Sequence, residues 1–98
     1  MEYYIVKTKS QNIIEKLRVS WVKFIISDFD DAVQILASAI NDINSMVDYA
    51  VQNKIEMNFN SDNNSKYLQK INKYLENHQY VEAADVVEYK LIKAIKNI

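Results

Sequence analysis

Phe29-Asp30-Asp31-Ala32-Val33-Gln34-Ile35-Leu36-Ala37-Ser38-Ala39-Ile40-Asn41-Asp42-Ile43-Asn44-Ser45-Met46-Val47-Asp48-Tyr49-Ala50 carries the clearest periodicity in this chain of 98 residues. Phe29, Val33, Leu36, Ile40, Ile43, Val47 and Ala50 follow at alternating steps of four and three, the spacing of a helical seam. Gln34, Asn41, Asp48 and Gln52 mark the wet side. Ser27 or Asp28 can cap the start, and Asp30 and Asp31 suit the positive end of the helix dipole. The stretch predicts a helix of roughly 23–26 residues, three to four per turn throughout.

Working outward, the rest of the chain agrees. It contains no glycine, proline or cysteine. Sheet folds draw on glycine and proline for hairpins and bulges, whereas helices need only caps, which Asn, Asp and Ser supply. An AT-rich genome, such as that of a low-GC bacterium or its phages, would also deplete both residues, so the absence is partly genomic. On the amino-terminal side, Ile14, Leu17, Trp21 and Phe24 predict a first helix ending near Ile26, with Thr8 and Gln11 as a capping box. Residues 1–7, with Tyr3, Tyr4, Ile5 and Val6, read as a loose β-prone arm, or as an edge that pairs only in an oligomer. On the carboxyl-terminal side, 54–64 reads as the main loop, followed by a third helix from Ser65 to Asn77 with Leu68, Ile71 and Leu75 inward. A last helix from Tyr80 turns Ala84, Val87, Leu91, Ala94 and Ile98 to one face, with early acids and late lysines matching its dipole. The expectation is all-α: one domain over 1–98, an up-and-down antiparallel bundle of about four helices.

Composition narrows the function classes. Net charge is −1, which argues against a general polyanion binder and against nucleic acid as a partner. Without cysteine there are no disulfides, thiolate metal sites or thiol chemistry. No apolar run reaches the ~18–20 residues of a membrane span, so the cytoplasm is the expected compartment and no membrane partner is expected. Asp28, Asp30 and Asp31 resemble a carboxylate cluster, but helix-start acids explain them without a metal. Asn58-Phe59-Asn60-Ser61-Asp62-Asn63 echoes a calcium loop, yet amides occupy ligand positions that need carboxylates. His78, the one histidine, falls in a polar turn with no nucleophile beside it. The reading is therefore a non-enzymatic protein with no cofactor and no metal.

Two surfaces stand out. Val19 to Ile26 is apolar nearly all round, which implies burial on two sides. Trp21, Val22, Ile25 and Ile26 are the leading candidates for contact with another protein or a second copy in a homodimer. Tyr67 and Tyr74 come second, since tyrosine tolerates both water and burial. Lys66, Lys70 and Lys73 recur at steps of four and three on the third helix, with those tyrosines nearby. They form the alternative: a Lys/Tyr face of a small nucleic-acid-associated or phage-type regulator.

Asp28 to Met46, with its acidic aromatic start, its alanines and its Ile43-Asn44-Ser45-Met46 ending, resembles a helix of the flagellar export chaperone family. That family's proline-containing segments have no counterpart here. The resemblance implies a small helical bundle holding an export substrate's disordered tail in a hydrophobic groove, hence a chaperone or adaptor. Tyr80-Val81-Glu82-Ala83-Ala84-Asp85-Val86-Val87-Glu88-Tyr89 is similar to a helix of uncharacterised bundle domains of low-GC bacteria.

Overall fold

A computed structural model describes residues 2–56 and 61–96. Four helices account for its regular structure. These are α1 (Glu2–Ile25), α2 (Phe29–Gln52), α3 (Ser61–Glu76), and a fourth that runs as α4 (Tyr80–Val86), a π turn (Val87–Leu91) and α5 (Ile92–Lys96). The all-α antiparallel bundle expected from the periodicity is the architecture found. It is elongated, 40 × 22 × 18 Å. Helix α1 lies between α2 and the fourth helix, and α3 packs on the fourth helix.

The expected loose arm over residues 1–7 is corrected by the structure. Helix α1 begins at Glu2, Val6 is fully buried, and Thr8 is an exposed mid-helix residue, not a cap. The whole β-propensity scale spans only about 1 kcal/mol and follows packing context, whereas burying one valine contributes roughly 1.5 kcal/mol or more. Tertiary packing therefore decides the segment.

The seam between α1 and α2 is also displaced from its expected line. In α1 the buried positions are Val6, Ser10, Ile13, Leu17, Ser20 and Phe24; in α2 they are Ala32, Leu36, Ala39, Ile43, Met46 and Ala50. Both sets step by four and three, so the helical period holds while the face turns by about one residue. Val33 is 37% exposed, whereas its neighbour Ala32 is 0%. Small residues at the contact let the two backbones approach. The larger Ile14, Trp21, Phe29, Ile40 and Val47 then cover the seam from its sides, each partly buried against the core. Burying Ser20 requires a partner for its hydroxyl. Its Oγ donates to the Ala32 carbonyl at 2.8 Å, tying the two helices together.

Three helices end without glycine. Ser27, Lys54 and His78 take the left-handed conformation at φ 64°, 53° and 57°. Around each, the next backbone N–H reaches back five residues: Asp28 to Lys23 at 2.8 Å, Ile55 to Ala50 at 2.9 Å, Gln79 to Tyr74 at 2.8 Å. These are Schellman caps, in which orphan carbonyls gain donors. Asn53 and Asn77 add their side-chain amides to the carbonyls of Tyr49 and Lys73, at 2.8 and 3.0 Å. Ser27 thus closes α1 instead of capping α2, and Asp28 at the α2 N-cap makes no side-chain cap bond.

The later boundaries move as well. Helix α3 begins at Ser61, so the connection is shorter than the 54–64 loop read from sequence. Residues 57–60, including Asn58 to Asn60 of the calcium-loop echo, lie outside the described residues, as does Ile98. In the fourth helix the buried face is Ala83, Ala84, Val87, Leu91, Ile92 and Ile95, with Ala94 only partly buried, unlike the expected inward Ala94. The π turn accounts for this. Its wider turn absorbs one extra residue, so the face that leaves through Val87 re-enters at Ile92 and Ile95.

Candidate functional site

The carboxyl-terminal half of α1 meets α2 on its inner side and leaves large aliphatics outside. Val19, Val22, Ile25 and Ile26 are 48%, 47%, 57% and 62% exposed. Val22 lies three residues after Val19, three before Ile25 and four before Ile26, so the four share one face. Of the residues singled out from sequence, Val22, Ile25 and Ile26 therefore stand together on the surface. Trp21 does not: it is partly buried against the core.

Beside this patch, α1 and α2 border a groove of about 610 Å³, lined by Asn12, Glu15, Lys16 and Val19 from one helix and Ile35, Ser38 and Asp42 from the other. Lys16 spans it, pairing with Asp42 and donating to the Ser38 hydroxyl at 3.0 Å. Nearer the turn, Lys23 Nζ lies 3.4 Å from Asp28 and 3.7 Å from Asp31. Two of the three clustered aspartates thus face a lysine across the α1–α2 turn. Ile35 was missed from sequence because it belongs to neither the apolar seam nor the polar set. Its role depends on which helix lies alongside.

The tyrosines divide. Tyr74 packs partly buried against the core, while Tyr67 stands between two grooves. One groove, about 420 Å³, is lined by Lys66, Tyr67, Gln69, Lys70 and Lys73. The other, about 250 Å³, is lined by Tyr67, Tyr89, Lys90, Lys93 and Ala94. The three lysines expected to share a face do so. Tyr89, which the sequence groups with Tyr67, Tyr74 and Tyr80 in the last two helices, joins them from the fourth helix, as do Lys90 and Lys93, which the sequence pattern explains only as a favourable helix end.

His78 is an exposed cap residue whose Nδ1 lies 3.1 Å from the Tyr80 hydroxyl. The Tyr80 ring stacks on Phe29 at 3.9 Å between centroids and lies 6.4 Å from Phe24, joining the starts of α2 and α4 to the end of α1. Among the described residues, no three His, Asp or Glu side chains stand close enough to hold a metal ion, and no helix is long and apolar enough to cross a membrane. No curated protein and no solved structure matches the chain. One family model does, across residues 8–98, and on that extent the chain belongs to the family described as a domain of unknown function, DUF8042.

Proposed function

We propose that this protein is a non-enzymatic helical interaction module of the cytoplasm that docks another protein, or a second copy of itself, on the carboxyl-terminal half of α1. The observation that carries this reading is the contiguous exposure of Val19, Val22, Ile25 and Ile26 on a face that no other helix covers. Each is about half exposed, so completing its burial contributes about 1 kcal/mol. Four such gains sum to roughly 4 kcal/mol, no more than the low end of the cost of association. The partner must therefore also engage the groove beside the patch, where Val19 and Ile35 lie between polar rims. A chaperone or adaptor form of this function is supported by the likeness of the α2 sequence to the flagellar export chaperone helix.

The test is a pair of charged substitutions, Val22→Glu and Ile26→Glu, at positions too exposed to support the core. Melting should change by less than about 2 °C, within the ±0.5 kcal/mol usual for such sites. Light scattering on the protein and affinity capture from its own cells should both show loss of the complex the parent forms. Complexes that survive both substitutions unchanged would contradict the reading.

A further inference from the structure

We propose a second binding site, on the opposite hairpin and independent of the α1 patch: the face shared by α3 and the fourth helix binds single-stranded nucleic acid. Three observations converge there. First, the two grooves that meet at Tyr67 are lined by Lys66, Lys70 and Lys73 on one side and by Lys90 and Lys93 on the other, and no carboxylate lines either. Second, among the described residues none of these lysines makes an ion pair; the ion pairs fall on Lys16 and Lys23. These lysines thus stand outside ion-pair distance of any described carboxylate, although Asp62, Glu76, Asp85 and Glu88 belong to the same two helices and the whole chain carries −1. Third, the π turn Val87–Leu91 holds Tyr89 and Lys90, and π turns recur at functional sites. Tyr89 is 66% exposed, an aromatic ring held out beside lysines.

The chemistry selects among anions. The lysine ammonium is a point charge that pairs with phosphate and carboxylate alike, so charge alone does not choose between them and the aromatic side chains must. Tyr67 and Tyr89 add flat faces on which unpaired bases can stack, a contact that a duplex keeps inside its own helix. Lys66 to Lys73 extends about 10 Å along α3, the length of about three stacked nucleotides.

Fluorescence anisotropy with labelled dT15 and rU15 tests the site. The intact protein should bind both, with a log–log salt slope approaching about −3.5 if all five lysines meet phosphates. Doubling the salt should then weaken binding about tenfold. Lys70→Glu with Lys93→Glu should weaken it at least tenfold and flatten the slope. Tyr89→Ala should weaken it about fivefold with the slope unchanged, which separates stacking from charge. Val22→Glu should leave it unaltered. A duplex of the same length, or a polyglutamate peptide of equal charge, should bind at least tenfold more weakly. Equal binding by either competitor, or variants that bind like the parent, would overturn the proposal.

Discussion

The two hairpins solve the same packing problem differently. In α1–α2, two helices of 24 residues each keep an unbroken four-and-three step from end to end. In the second hairpin, α3 has 16 residues, and its partner changes from α to π winding and back within one helix. The first hairpin gains close approach from small seam residues and leaves its bulky aliphatics at the side, where they become surface. The second buries Val87, Leu91, Ile92 and Ile95 by rewinding the helix and leaves lysine and tyrosine outside, with Val81 its one large exposed aliphatic among the described residues. One pair of helices therefore exposes an apolar patch and the other a basic aromatic face. The difference shows that an outward face is set by how a seam is packed as much as by which residues a helix contains.

The largest expected effect tests the displaced seam. Leu36→Ala should cost about 2–5 kcal/mol, because Leu36 is 2% exposed and its removal leaves a cavity at the α1–α2 contact. Ile40→Ala, at a flanking and only partly buried position, should cost distinctly less. Urea unfolding of both variants measures the gap, and equal losses would restore the seam line drawn from Ile40.

Inserting one alanine after Glu88 examines the second hairpin's device. The π turn already absorbs one extra residue, so a further one turns Ile92 and Ile95 by about 100° away from the core. Each fully buried isoleucine contributes about 1.5–3 kcal/mol, so a loss of at least about 3 kcal/mol is expected in thermal or urea unfolding. An insertion variant as stable as the parent would mean that the π turn does not set the buried face.

A smaller and opposite effect is expected at the caps common to both hairpins. Ser27→Gly, Lys54→Gly and His78→Gly remove a Cβ from a left-handed residue and should each stabilise by about 0.5–1 kcal/mol. Melting temperature reports this directly, and a drop at any of the three would show that its side chain does more than end a helix. The smallest effect is expected at the Lys16–Asp42 pair, whose side chains are 42% and 43% exposed. Lys16→Met should change stability by less than about 1 kcal/mol, and raising the salt concentration should shrink the difference further.

Much of this architecture was legible in the chain. The step of four and three over Phe29 to Ala50, the turn signal around Ser27 and Asp28, and the polar run after Lys54 define helices and connections through local physics alone. Helical period and hydrogen bonding within one segment need no knowledge of neighbours. The apolar excess of Val19 to Ile26 was equally visible, because no single wet face can be drawn on it. Lys66, Lys70 and Lys73 share a face by spacing alone.

Tertiary structure decided which side of each helix faces inward. Hydrophobicity counts Val33 above Ala32 and Ile14 above Ser10, yet the backbones approach along the smaller residues, and a serine is a good contact once its hydroxyl is satisfied. It decided that residues 2–7 are helix, because Val6 gains its burial from the bundle and not from its neighbours in sequence. It also placed Tyr89, Lys90 and Lys93 beside Tyr67, since a π turn and a pairing between distant helices leave no period to read. Local hydrogen bonding is written in consecutive residues, whereas the choice of face is a free-energy balance over surfaces that meet only on folding.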